Sequence, residues 1–272
     1  MKKRLLCVLL CIVLVVPAAV ACSGQKGNNE PGQTNGDEKS EKQVTILVAA
    51  AASLRYCMED ELKGMFEGLH PNIRVTFTLD SSGKLQKQIE EGADVDVFVS
   101  AARKQMDALN EKGLILADSV IDLLENKIVL ILPESSTLEI ENFNDILLAD
   151  TIAVGDPESV PAGQYAKEAL ENLGLWDKVK GKASFGTNVT EVLNWVAEGS
   201  AEAGIVYATD AATTGNVRVA AEAPDGSVSK IIYPAGIVNS STKKEAAASF
   251  MEFLKSDEAL AVFEKYGFTP NI

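Results

Sequence analysis

A chain of 272 residues with 39 Asp and Glu against 25 Lys and Arg carries a formal charge of −14, and it holds a single histidine. So acidic a body is a poor partner for nucleic acid, whose phosphates need clustered Lys and Arg. It also excludes net charge as the means of capturing an anion, so an anion site here must work through local dipoles.

The first residues read as an address. Met1-Lys2-Lys3-Arg4 is a positive n-region, and residues 5–16 are an apolar stretch of signal-peptide length, short for a bilayer span. Ala19-Val20-Ala21-Cys22 resembles a bacterial lipobox, with Ala19 where Leu is commoner. It implies a signal peptide over 1–21, cleavage before Cys22, and lipid on Cys22 holding the protein outside the cytoplasm on the cell membrane. An ordinary secretory signal cut nearby, or an uncleaved anchor, stands beside that reading. Loss of Lys2, Lys3 and Arg4 takes the charge from −14 to −17. Cys7 and Cys11 leave with the signal, so Cys57 is the one thiol remaining and no intrachain disulfide is possible in the mature chain. Cys57 reads as a buried small apolar side chain rather than a nucleophile. Residues 22–42 are the lipidated cysteine and a flexible tether, too polar to offset the entropy of ordering.

From residue 43 the pattern is α/β. Residues 43–50 read as a strand, and Leu54, Met58, Leu62, Met65 and Phe66 follow at helical spacing. Residues 73–78 alternate as a second strand, Ser81-Ser82-Gly83 opens a helix, and 94–100 is a third strand with a helix after it. Residues 127–133 are an apolar strand closed by proline. A second series begins at 151–154, with helices at 163–174 and 189–198 and a buried strand at 203–207. Residues 231–238 read as a strand bent at Pro234, and helices around 246–254 and 259–266 end the chain. Alternating strands and helices predict mainly parallel sheets flanked by helices. Two such series joined by two apolar crossings predict two lobes: lobe I from 43–127 plus 235–272, and lobe II from 128–234 including the hinge strands. Ligands in such sheets sit at the carboxyl ends of strands, and a cleft between lobes can close by hinge motion.

Four strand-to-helix junctions carry small or polar residues: Ala50-Ala51-Ala52-Ser53-Leu54, Asp80-Ser81-Ser82-Gly83-Lys84-Leu85, Val160-Pro161-Ala162-Gly163 and Gly186-Thr187-Asn188-Val189-Thr190. Tyr207 ends a strand. Backbone N–H groups at helix starts have no intrahelical acceptor, and with Ser, Thr and Tyr hydroxyls they make a donor set for a small anion. Each part has a plainer reading as well. Ser53 and Ser82 read as helix N-caps, Pro161 as an ordinary first helical residue, and Tyr207 as core.

The stretch from Val154 to Leu170, with Ala49-Ala50-Ala51, Ser53-Leu54, Ser81-Ser82, Asp96-Val97-Phe98-Val99-Ser100-Ala101, Gly204-Ile205-Val206-Tyr207 and Tyr266-Gly267-Phe268, resembles the periplasmic molybdate-binding proteins of bacterial ABC importers. The resemblance spans 44–268. It implies a two-lobe periplasmic-binding-protein fold of type II and binding of molybdate, with tungstate as a near-isosteric second ligand, for delivery to a membrane permease; the same fold tuned to tungstate or sulfate is the alternative. It further implies that the oxyanion is held by the hydroxyls of Ser53, Ser82 and Tyr207 and by the amides of Ala162 and Val189, with Ser81 as the other candidate at its turn. Molybdenum would enter only as the bound oxyanion, with no cofactor. Gly83-Lys84 departs from the family's Ser/Thr pair, and Lys84 is expected to point to solvent. Asp80 and Asp156, the nearest acceptors, are expected to leave the ligand alone. A monomer is expected, since nothing argues for an oligomer.

An enzyme finds little support. A Ser-His-Asp set would have to use His70, in a turn-like stretch away from the serine turns, and no HExxH, CxxC or P-loop pattern appears. A ferric site would want clustered Tyr and carboxylate oxygens, yet the five tyrosines are spread along the chain and Tyr207 alone is expected at a cleft strand end.

Overall fold

Val44–Ala51 (β1) forms where β-branched and apolar residues run without a break, as an interior strand with both faces covered requires. The computed structural model describes residues 43–272; the signal peptide, Cys22 and the tether lie outside the described residues. After β1 the chain turns through Ala52–Leu54 into a helical stretch ending in α1 (Lys63–Leu69). The first series continues with β2 (Ile73–Asp80), α2 (Ser82–Glu90), β3 (Val97–Val99) and α3 (Arg103–Glu111). β4 (Ile121–Asn126) and β5 (Ile128–Pro133) lead across to β6 (Ile152–Gly155), α4 (Pro161–Asn172), α5 (Trp176–Val179), β7 (Ala183–Gly186), α6 (Val189–Ala197), β8 (Ala203–Tyr207), α7 (Ala208–Ala211) and β9 (Val217–Glu222). β10 (Ile231–Ile237) returns, and α8 (Lys244–Leu254), α9 (Asp257–Lys265) and β11 (Thr269–Pro270) end the chain.

The strands form two sheets, ordered β11-β4-β10-β3-β1-β2 and β7-β6-β8-β5-β9. Both are mixed rather than mainly parallel. β1 pairs in parallel with β2 and β3, and β6 with β7 and β8; the remaining pairs are antiparallel. The crossings explain this. β5 and β10 start at the cleft and run away from it, opposite to the strands whose carboxyl ends face the cleft. The registers Ile128↔Tyr207 and Ile231↔Asn126 place both starts there.

β10 belongs wholly to the first sheet from Ile231 onward. The return crossing therefore lies between β9 and β10, ahead of the expected boundary at 234. Pro234 bends the strand, with a register shift between Tyr233 and Pro234, because proline has no N–H for the ladder. β4 is a further strand that its mixed sequence Ile121-Asp122-Leu123-Leu124-Glu125-Asn126 concealed.

Only Val97–Val99 of the stretch 94–100 is strand. Asp96, fully buried, instead accepts from the N–H of Leu47 (2.8 Å), the hydroxyl of Ser241 (2.6 Å) and the ammonium of Lys243 (3.0 Å), tying the entry to α8 onto β1. Phe66, Phe250 and Phe253 stack behind that face, with ring centroids 5.1 and 5.4 Å from Phe66. Cys57 is buried in the same core, its thiol donating to the carbonyl of Leu54 (3.1 Å), and burial pushes that thiol's pKa up. It is a packing residue. Among the described residues no helix is long and apolar enough to cross a membrane.

Candidate functional site

The carboxyl ends of β1, β2, β3 and β8 and the amino ends of α2, α4 and α6 converge on one small cavity. It is lined by residues of both sheets, among them Ser53, Ser82, Ala162, Val189 and Tyr207. All five residues expected at the site are therefore neighbours. The cavity measures about 10 Å³, room for about one water. A four-oxygen anion is larger than one water, so the walls must part to admit one.

Local sequence explains each wall. The alanines ending β1 let the backbone turn tightly through Ala52–Leu54, which carries Ser53. Pro161 takes the first helical position of α4, leaving Ala162 next, where N–H groups have no intrahelical acceptor. Val189 opens α6 after Asn188, whose side chain caps the N–H of Glu191 (2.9 Å) and not that of Val189. Gly163 is required because a Cβ there would fall on the carbonyl of Gly155, so α4 can rest directly on the end of β6. Three helix amino ends give a positive local potential without a formal charge.

The serines are not caps. Ser81 occupies the cap position of α2 without a side-chain cap bond, and Ser53 lies inside its turn. The hydroxyl oxygen of Ser82 accepts from the N–H of Ala101 (2.9 Å), leaving its own proton free for another acceptor. The Ser81 hydroxyl is buried and has no hydrogen-bond partner among the described residues. The Ser53 oxygen lies 3.0 Å from the hydroxyl of Tyr233. Tyr207, 1% exposed, donates to the carbonyl of Ala101 (3.4 Å), and burial holds its phenol far above the usual range, so it stays a donor.

The acidic neighbours are tied elsewhere. Asp80 lines the cavity, but its carboxylate accepts from the N–H of Ser81 (2.7 Å) and from Lys84 (3.2 Å). Lys84 is thus paired with Asp80 rather than simply directed to solvent. Asp156 stays out of the lining and organises its own loop, accepting from the N–H of Glu158 and the hydroxyl of Ser159, both at 3.1 Å.

Two residues of the site's surroundings escaped sequence reasoning. Tyr233 and Tyr207 meet edge to face with centroids 5.6 Å apart, although the sequence places Tyr207 alone at the cleft. Asn126 donates to the Tyr233 hydroxyl (3.1 Å) and to Thr209 (2.9 Å). Gly83 was visible only as a departure from the family's pair. Its N–H donates to the carbonyl of Ser159 across the cleft (3.0 Å), and a Cβ there would collide with that carbonyl.

His70 is remote from all of this. It stacks on Phe66 at 4.6 Å and lines a separate groove of about 910 Å³ with Pro71 and Lys243. Among the described residues no group of His, Cys, Asp or Glu is placed to hold a metal ion.

Comparison with known proteins points the same way. The pattern of the family described as bacterial extracellular solute-binding protein matches residues 46–269. YvgL of Bacillus subtilis, provisionally named an ABC transporter substrate-binding lipoprotein, is 44% identical over 85% of this chain and 88% of its own length. The molybdate-binding protein ModA of Haemophilus influenzae is 39% identical over 82% of this chain and 89% of its own. Among solved structures, the periplasmic molybdate-binding protein of Azotobacter vinelandii superposes with a TM-score of 0.74 at 25% identity, covering 84% of this chain and all of that one.

Proposed function

The chain belongs to the bacterial extracellular solute-binding proteins, and from that premise we propose that it binds molybdate outside the cytoplasm and delivers it to the permease of an ABC importer. The carrying observation is the donor set: Ser53 and Ser82 from one lobe, Tyr207 and the amino ends of α4 and α6 from the other, around one cavity. Kinship to the molybdate-binding protein of Haemophilus influenzae supports the choice of ion. The kinship to YvgL supports Cys22 as the lipid anchor. The role is binding and handover, with no reaction catalysed.

The chemistry of the walls fits a fully ionised dianion, which offers only acceptors. Hydrogen phosphate brings a proton, and with Asp80 and Asp156 engaged elsewhere that proton would lie unpaired, at a cost of about 1–3 kcal/mol. Sulfate is all-acceptor too, but it is smaller, and a rigid donor set placed for molybdate leaves its hydrogen bonds long. Tungstate is nearly isosteric with molybdate and should bind comparably. The lobes close on the ion: Ser53 and Ser82 hold one side, and the Ala162 and Val189 amides with Tyr207 hold the other.

Calorimetric titration with molybdate, tungstate, sulfate and phosphate tests this. Tight one-to-one binding of the first two, with the last two weak, is the expected result. Tight sulfate binding would move the protein to sulfur uptake, and silence with all four would end the reading.

A further inference from the structure

Behind Ser53 lies a chain of hydrogen bonds whose direction can be worked out. The N–H of Lys127 donates to Oδ1 of Asn126 (2.8 Å). A backbone N–H can only donate, so the amide orientation of Asn126 is fixed, with Nδ2 turned the other way. Nδ2 has two protons, and they go to Oγ1 of Thr209 (2.9 Å) and to the hydroxyl oxygen of Tyr233 (3.1 Å). Tyr233, fully buried, then has its own proton left to give, and the oxygen of Ser53 stands 3.0 Å away. Burial keeps the Tyr233 phenol protonated, its pKa far above the usual value. Once Ser53 accepts from Tyr233, its remaining proton faces the cavity. Ser82 is ordered in the same way by one obligate donor, the N–H of Ala101.

We propose that Asn126 and Tyr233 are positioning residues for ligand selection: they order the protons so that Ser53 presents a donor, never an acceptor, to the anion. This rests on the site reading above and deepens it. The selection against protonated anions is thus enforced from the crossing strands, since Asn126 ends β4 at the first crossing and Tyr233 lies on β10 just past the second. Without the relay Ser53 can rotate, and its lone pairs can receive the proton of hydrogen phosphate.

The test measures molybdate and phosphate binding by the full-length protein and by four variants at pH 8. Ser53→Ala is the control for the site itself. Tyr233→Phe removes the donor to Ser53 and should lower the ratio of molybdate to phosphate affinity about tenfold, the scale of one hydrogen bond to a charged group. Asn126→Asp keeps the acceptor for Lys127 but offers Tyr233 an acceptor too. The Tyr233 proton then turns to the introduced carboxylate, Ser53 donates to Tyr233, and a lone pair faces the anion; molybdate affinity should fall well below that of Tyr233→Phe. When Asn126→Asp and Tyr233→Phe are combined, the reversal has no path to Ser53, and affinity should climb back toward the Tyr233→Phe value. A merely structural role, or simple repulsion from the introduced carboxylate, would leave the penalty of Asn126→Asp intact when Tyr233→Phe is already present, and that result overturns the proposal. So does an unchanged anion ratio in Tyr233→Phe, which decides alone if Asn126→Asp does not fold. Affinity unaltered in Ser53→Ala, or no molybdate binding by the unaltered protein, would instead strike the site reading on which the relay rests.

Discussion

Tyr207 and Ser82 illustrate how little a site of this kind needs at each position. Neither carries charge; Ser82 keeps its proton free while its oxygen accepts from Ala101, and the Tyr207 proton, given to the Ala101 carbonyl at 3.4 Å, must turn to reach a bound anion. Ser82→Ala and Tyr207→Phe should each weaken molybdate binding by roughly 1.5–3 kcal/mol, the worth of a hydrogen bond to a charged group, and calorimetry reads this directly; affinity unchanged in both would mean that the anion sits elsewhere. Asp210, three residues past Tyr207, is a different case. It is buried, one carboxylate oxygen has no hydrogen-bond partner among the described residues, and burial pushes its pKa up to about 7 from the ordinary 3.8. Between these values the folded chain holds a proton that the unfolded chain has released. Folded protein therefore binds more protons, and stability falls as pH rises through this window, reaching its full loss above pH 7. Asp210→Asn removes the titration, so melting temperatures from about pH 4 to 8 should flatten, with the variant gaining on the wild type by the order of a few kcal/mol at the alkaline end. A parallel pair of curves would show that Asp210 does not titrate there. Much at this scale was legible in the sequence, because Ser53, Ser82, Ala162 and Val189 each sit in a local strand-to-helix pattern. Tyr233 and Asn126 were not. Their meeting spans 107 positions and depends on the pairing of β10 with β4, which no local pattern announces.

At the scale of elements, two glycines separate folding from closure. Gly163 lies where α4 rests on β6, both in the second lobe, and a Cβ there would strike Gly155. Gly83 is the second residue of α2 in the first lobe, and the atom a Cβ would strike belongs to Ser159, across the cleft. Gly163→Ala should thus lower the melting temperature, with or without ligand, as forced overpacking costs about 1–3 kcal/mol. If the lobes part without ligand, as the two-lobe reading expects, the Gly83–Ser159 contact exists only in the closed form, and Gly83→Ala should melt close to the wild type without ligand yet bind molybdate more weakly. Melting curves with and without molybdate distinguish the two, and a Gly83→Ala protein that binds normally would mean that α2 and the Asp156–Ser159 loop do not approach in the bound form. The division into α/β series was readable from periodicity, as were the interior strands. The mixed character of the sheets was not. Strand direction is set by where a crossing enters, and β4, with Asp122 and Glu125 among its residues, looks polar because it flanks the short β11 at the sheet's edge.

For the molecule as a whole, charge and function pull in opposite directions. The full sequence carries a formal −14, and removal of residues 1–21 as a signal peptide, the expectation set out above, would take it to −17, so a dianion approaches against a repulsive field. On the proposed reading, what holds the ion at the end of that approach is short-range: hydroxyl protons and the first N–H groups of α4 and α6, whose dipole fields fade within a turn. The two parts respond differently to salt. Raising ionic strength from about 0.01 M to 0.15 M shortens the screening length from about 30 Å to about 8 Å, which removes the long-range repulsion while leaving buried hydrogen bonds nearly untouched. The association rate of molybdate should therefore rise with salt or stay level, and the equilibrium affinity should change by no more than about threefold. Stopped-flow fluorescence at several salt concentrations, with calorimetry at the same points, measures both. A site that relied on exposed cations such as Lys84 would behave in the opposite sense, with rate and affinity falling together, and since Lys84 is already paired with Asp80 at 3.2 Å, its attraction is largely spent within the protein.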